Sequence, residues 1–178
     1  MLDREDVSWL WRAAELDELA WREEFSIEHD ATALVAEANI FRYRPLLEPL
    51  RVRLGEGYAL RDLLRLQIAS LVTGVELDVS AGQRLARQLR DQGLLVRETS
   101  DDAFAVEVED APSIRVRTLG EVDSSLWQAA VNSSSVIIDA PVLADGRREL
   151  LHLLLEQAVT VTMHRFGIIR EIGNLQRA

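Results

Sequence analysis

From residue 50 onward, short apolar or β-branched runs alternate with amphipathic runs of helical length. This rhythm restricts the chain to a parallel sheet covered by helices, with right-handed crossovers. Leu50-Arg51-Val52-Arg53-Leu54 reads as a strand, followed by Gly55-Glu56-Gly57 and a helix over 60–73 that Gly74 stops. Residues 75–79 read as the second strand, and Ser80 as the cap of a helix over 81–92 that ends at Gly93. A third strand over 94–98 precedes residues 102–110, capped by Ser100 or Asp101. There Val106 and Val108 alternate with Glu107 and Glu109, which fits a strand as well; the rhythm selects a helix. A fourth strand over 113–117, a short helix over 122–132 and a fifth strand over 135–139 follow, the last so apolar that it is expected at the centre of the sheet. A helix over 145–156 and a strand over 158–163 complete the series. The expected class is α/β: a Rossmann-like, mostly parallel sheet with helices on both faces, spanning residues 46–178.

Residues 1–45 read as an N-terminal helical segment and extended arm. Val7, Leu10, Trp11, Ala14, Leu16, Leu19 and Ala20 recur at helical spacing within 3–24, and Trp9, Trp11 and Trp21 crowd this one helix. Three Trp point in more than one direction, so anchoring on the core and docking on a partner are both open readings. A second helix is expected over 28–40. In Phe41-Arg42-Tyr43-Arg44-Pro45 an extended backbone puts Arg42 and Arg44 on one side and the two aromatics on the other. The Arg pair is either ion-paired to local Glu or a clamp for a carboxylate or phosphate. At the far end, Leu150, Leu151, Leu153, Leu154 and Leu155 suit a helix buried on several sides, and Ala158–Met163 suits a strand covered on both faces. That strand runs into His164-Arg165-Phe166-Gly167, a polar and aromatic tip where α/β sheets gather ligands.

The formal net charge of −10 argues against nucleic acid and anionic membranes as partners. No apolar run is long enough to span a bilayer, and the acidic start Met1-Leu2-Asp3-Arg4-Glu5-Asp6 is unlike a secretion signal, so the cytoplasm is expected. The chain has no Cys, which removes disulfides, thiolate metal sites and a thiol nucleophile. His29, His152 and His164 are scattered with no pair at ligand spacing, and Ser133-Ser134-Ser135 precedes a strand rather than following one. No catalytic, cofactor-binding or metal-ligating residue is therefore assigned. Gly55-Glu56-Gly57, with Asp78 about twenty residues on, is a partial dinucleotide fingerprint whose third glycine is replaced by Leu60.

Two motifs look familiar together: Glu37-Ala38-Asn39-Ile40-Phe41-Arg42-Tyr43-Arg44-Pro45 and Gln157-Ala158-Val159-Thr160-Val161-Thr162-Met163-His164-Arg165-Phe166-Gly167. They resemble the C-terminal region of long, actinobacterial-type proline utilization A, as do the Trp-bearing helix Glu5–Phe25 and Gly146-Arg147-Arg148-Glu149-Leu150-Leu151. That family is bifunctional, joining proline dehydrogenase to glutamate-semialdehyde dehydrogenase. The resemblance implies a domain similar in fold to the nucleotide-binding domain of aldehyde dehydrogenases but not catalytic, with no cofactor in this chain and FAD and NAD held elsewhere in the parent enzyme. It implies packing on the aldehyde dehydrogenase module of the same or a partner polypeptide, in place of an oligomer contact, with support for substrate channelling. The interface expected on this resemblance is Arg42, Tyr43, Arg44, His164, Arg165, Phe166 and Gly167. Residues 168–178 match no tail of that family. Two other readings stand beside it: a small nucleotide- or anion-binding domain using Gly55–Gly57 with Arg42 and Arg44, and a homo-oligomerisation module working through the Trp-rich helix.

Overall fold

The structure, a computed structural model, describes residues 2–111 and 113–162, together with the backbone of 164–165 and 168–169. The chain opens with helix α1 (Arg4–Ala20), closed at its start by a capping box between Asp3 and Asp6. One π-helical turn, Trp21–Phe25, extends it. Then come β1 (Glu37–Pro45), β2 (Leu50–Leu54), α2 (Leu60–Thr73), β3 (Leu77–Ala81), α3 (Gln83–Asp91), β4 (Arg97–Glu98) and α4 (Asp101–Asp110). The second half holds β5 (Arg115–Leu119), α5 (Ser125–Ser133), β6 (Val136–Ile138), α6 (Gly146–Glu149), a 3-10 turn (Leu150–Leu153) and β7 (Leu154–Thr162). Short strands β8 (His164–Arg165) and β9 (Ile168–Ile169) pair antiparallel beyond it.

Five strands make one parallel sheet in the order β4-β3-β2-β5-β6. This is the Rossmann-like arrangement expected from the rhythm, with its reversal of direction between β2 and β5. Each face has its own core. Leu50, Val52 and Leu54 of β2 pack with Leu63, Leu66 and Ala69 of α2, Ala86 and Leu89 of α3, Ala20 and Phe25, and Leu150 and Leu153. On the other face Val116 packs with Phe104 and Val108 of α4 and Leu126, Ala129 and Ala130 of α5.

Residues 101–110 are helical, and the Ser100 side chain accepts from the Ala103 amide. Replacing Ser100 with Ala is expected to cost about 1 kcal/mol in urea unfolding. Gly74 ends α2 in the left-handed conformation.

Several expectations are corrected. The second strand lies two residues later than 75–79, so Ser80 is a fully buried strand residue and Gly82 takes the N-cap of α3. The third strand keeps only Arg97–Glu98 of 94–98. The fifth, Val136–Ile138, is an edge strand rather than the centre. Apolarity reports how a strand's faces are covered, not its lateral place in the sheet. The centre is β2, although Arg51 and Arg53 interrupt its apolar residues.

The largest departure joins the two ends of the described chain. Residues 28–40 do not form a helix. Asp30 organises a turn by accepting from the Thr32 and Ala33 amides, and β1 starts at Glu37. The helix expected over 145–156 ends as the 3-10 turn, and β7 begins at Leu154 instead of 158. This strand does not join the sheet: it pairs antiparallel with β1 from Glu37↔Thr162 to Pro45↔Leu154. Nor is it covered on both faces, since from Leu155 onward its residues are exposed or half-buried. β-branched content favours extended backbone wherever a partner strand exists, and β1 supplied the partner. The result is a two-stranded arm standing off the sheet domain.

Candidate interaction site

Two places hold candidate residues: the cleft at the carboxyl ends of β2 and β3, and the β1–β7 arm. The cleft, about 510 Å³, is lined by Arg53, Glu56, Tyr58, Arg84, Asp101 and Glu121 among others. Its size suits a small ligand. The crevice between β2 and β5, however, is closed. Gly55 N donates to Leu119 O at 2.8 Å, and Glu121 N donates to Glu56 O at 2.8 Å. A Cβ on Gly55 would sit 1.7 Å from the Glu121 carbonyl oxygen, and one on Gly120 would sit 2.5 Å from that of Glu56. The glycines of Gly55-Glu56-Gly57 thus serve, at Gly55, the approach of two loops rather than of a pyrophosphate.

The charges of the cleft argue the same way. Arg53, 2% exposed, donates to Asp101 Oδ1 at 2.6 Å and lies 5.1 Å over the Phe104 ring. Its guanidinium is answered internally, and Glu56 and Glu121 add carboxylates at the mouth. Asp78, the ribose-binding candidate, is engaged by Arg97 at 3.0 and 3.2 Å and does not line the cleft. Arg42 and Arg44 do not line it either, so the anion clamp that would join them to Gly55–Gly57 is not assembled. Among the described residues, no group of three His, Asp or Glu is placed to hold a metal ion.

On the arm, β-pleating sorts the side chains as the sequence suggests. Tyr43 meets Phe25 edge-on at 4.8 Å and Phe41 at 5.2 Å, seating the arm on the end of the first helical segment. Burial, then Glu24 and Glu156, push the Tyr43 phenol up. Arg42 donates to Glu28 at 2.6 Å and to Gln157 at 2.7 Å, so it is committed within the arm. Arg44 is exposed, and among the described residues no carboxylate pairs with it. Ala38, Ile40, Val159 and Val161 share one face by register, giving the distal arm an apolar stripe. Beyond the arm, the backbone of His164–Arg165 pairs with Ile168–Ile169. The side chains of His164 and Arg165, and all of Phe166 and Gly167, lie outside the described residues.

The three Trp of the first helix separate. Trp21 packs against the core, Trp9 is covered by the Arg61 guanidinium at 4.6 Å, and Trp11 is 69% exposed.

Sequence reasoning missed a buried charge network at the root of the arm. Asp17 of α1 and Arg65 of α2, both 0% exposed, make a bidentate pair at 2.6 and 2.7 Å. Arg65 Nε donates to Leu143 O, and the Leu143 amide donates to Glu149 Oε2. Glu149 Oε1 accepts from Arg117, which also donates to Ile138 O and Ala140 O. One nitrogen of Arg115 reaches the carbonyls of Leu151, His152 and Leu154 at 2.7–3.1 Å, across the junction of the 3-10 turn and β7. Burial raises the Asp17 carboxyl to about 6, with Arg65 partly offsetting it. A signal existed: Ala13, Asp17 and Ala20 occupy one helical face, and an acid on an apolar face calls for a buried cation.

No family model matches the chain, and no curated protein does. A solved structure, Proline Utilization A (PutA) from Corynebacterium freiburgense, does, with 42% identity over 90% of this chain and a TM-score of 0.67. The chain is similar to a piece of PutA. It spans 14% of that protein's length. The likeness supports the resemblance drawn from the two end motifs at the level of the whole protein. Among the described residues, no helix is long and apolar enough to cross a membrane.

Proposed function

We propose that this chain is a non-catalytic accessory piece of a bifunctional proline-catabolic enzyme of the cytoplasm. It docks on the glutamate-semialdehyde dehydrogenase module through the β1–β7 arm and supports assembly and channelling of the intermediate. The observation that carries the reading is the 42% identity to PutA over nearly the whole chain. Two features agree with it. The chain has no Cys, hence no thiol of the kind aldehyde dehydrogenases use as nucleophile. The arm offers Arg44 and an apolar stripe of Ala38, Ile40, Val159 and Val161, a surface suited to a protein partner. Arg165 is assigned to the same surface by sequence, with its guanidinium donating to carboxylates or carbonyls of the partner.

The test is titration calorimetry of this chain against a glutamate-semialdehyde dehydrogenase module lacking it, repeated with the two joined by a flexible linker, which supplies effective concentration. Binding, or faster proline-to-glutamate turnover in the joined protein, is expected; absence of both overturns the reading. Arg44→Ala is expected to weaken docking by about tenfold, as loss of one charge-assisted contact does, with an unchanged melting temperature. An unchanged affinity would remove Arg44 from the interface. The closed crevice between β2 and β5 and the pairing of Arg53 with Asp101 both disfavour nucleotide binding there.

A further inference from the structure

The two helical layers differ in charge. On one face of the sheet, α2 and α3 carry Arg61, Arg65, Arg84, Arg87 and Arg90 against Asp62 and Asp91. On the other, α4 holds five carboxylates, and neither α4 nor α5 has a cation. Asp101 and Glu107 are spent on Arg53 and Arg97. Asp102, Glu109 and Asp110 of α4, with Asp123 and Asp139, are exposed and pair with no cation among the described residues. Between Asp123 and Asp139 lies the longest stretch of the chain without a charged side chain. Within it Trp127 and Val131 stand one turn apart on α5, 42% and 76% exposed. α5 runs directly into β6: Ser135 N donates to Ala130 O at 3.0 Å, and the exposed Val136 opens the strand. β6 is an edge of the sheet. On α4, Val106 is exposed, and one turn further Glu109 accepts from Asn132 of α5 at 2.9 Å, so the outer sides of the two helices form one surface. Trp127, Val131, Val136 and Val106 belong to neither core.

We infer that the outer side of α4 and α5, with the start of β6, docks a basic amphipathic helix, one whose apolar stripe is flanked by Arg or Lys. The surface is the complement of such a helix: Trp127, Val131, Val136 and Val106 supply apolar contact, and Asp102, Glu109, Asp110, Asp123 and Asp139 supply unpaired carboxylates around them. Two adjacent helices present ridges and a groove in which a third can pack. Trp127 is the natural anchor, since a large aromatic surrounded by charged groups is the usual centre of a binding patch. The carboxylates steer the encounter and select the sign of the partner. Charge also decides against two other occupants. A second copy seated face to face would set these carboxylates against their own kind, and an anionic membrane would be repelled by them. The face is made of α4, α5 and β6 and is independent of the β1–β7 arm. Arg44 on the arm calls for an acidic or carbonyl group, whereas this face calls for cations, so the chain offers two surfaces with opposite demands.

The test titrates the intact chain with a synthetic amphipathic helix of about 18 residues, Leu on one side and Arg on the other. Changes in the amide NMR spectrum of the chain should be confined to α4, α5 and β6, and affinity should fall as salt is raised. A matched peptide with Glu in place of Arg should not bind. Trp127→Gln should weaken binding about thirtyfold, as loss of a central aromatic anchor does, and Val131→Gln about tenfold. Both residues lie outside the cores, so the melting temperature should hold in each variant. Trp11→Gln, at the other well-exposed tryptophan, should leave binding unchanged. Spectral changes spread over the acidic surface of α1, affinity indifferent to Trp127→Gln, equal affinity for the two peptides, or no binding would each overturn the proposal. So would self-association of the chain that Trp127→Gln abolishes in sedimentation, which would give the face to a second copy.

Discussion

Arg65→Met is expected to destabilise the fold by about 3–5 kcal/mol, the range for breaking a buried ion pair by removing one partner. The cost arises from what stays behind. Asp17 is fully buried on α1, and both its oxygens accept from Arg65. With the guanidinium gone, a carboxylate remains in an apolar setting between two helices. Two further outcomes separate this cause from simple loss of packing. The double variant Asp17→Leu with Arg65→Met should recover most of the loss, because two apolar groups replace two charges together. The penalty should also shrink in acid. Burial already raises Asp17 to about 6, so its ionised form costs stability that grows as pH rises from its unfolded value near 4 to about 6. Without Arg65 that cost is larger, so the deficit of Arg65→Met should be greater at pH 8 than at pH 5. Urea unfolding of the three variants at both pH values checks all of this; a deficit independent of pH would assign the loss to packing.

Gly55→Ala is the second large effect. Its Cβ would lie 1.7 Å from a backbone carbonyl oxygen, that of Glu121, and a backbone atom cannot swing aside as a side-chain tip can. The loops after β2 and β5 must part, breaking the Glu121–Glu56 bridge at 2.8 Å. The expected cost is about 3 kcal/mol, the upper end for overpacking. Gly57, two residues on, is the control. A Cβ there meets nothing within 4 Å, and only its φ of +75° resists substitution. Gly57→Ala should therefore cost about 1 kcal/mol. Equal costs at the two positions would show that the loops yield where they touch.

The contrast between the two glycines also indicates what could be read from sequence. The βα rhythm gave the sheet, because each strand needs a crossover to reach its parallel neighbour, and the crossover helices carry their own periodicity. Lateral order was not legible. Val136–Ile138 looked central from its apolarity, while the true centre, β2, carries Arg51 and Arg53. Arg53 can be buried only because Asp101, at the start of α4, answers it, and such long-range pairing leaves no local pattern. The arm was misread for a related reason. Residues 28–40 have helix-compatible composition, and 158–163 have the composition of a covered strand. Each takes its conformation from the other, across a separation that no local window spans. At the candidate interface, the alternation of Arg42 and Arg44 with Phe41 and Tyr43 was legible because pleating is local. That Glu28 and Gln157 would engage Arg42 was legible only in part, as a local Glu.

The pairing of β1 with β7 carries a consequence for biosynthesis. Arg42 and Gln157, which meet across the arm, are 115 residues apart in the chain. While the protein is being made, β1 leaves the ribosome before the sheet domain and must wait unpaired until nearly all of that domain has followed it. The sheet's neighbouring strands can assemble progressively, but the arm closes last, at the loop-closure cost of a long chain. A product truncated before residue 154 would thus keep much of its core and lack the arm entirely. Completion of the arm reports that synthesis has passed through the whole sheet domain, and docking through it would admit only chains in which that domain is present.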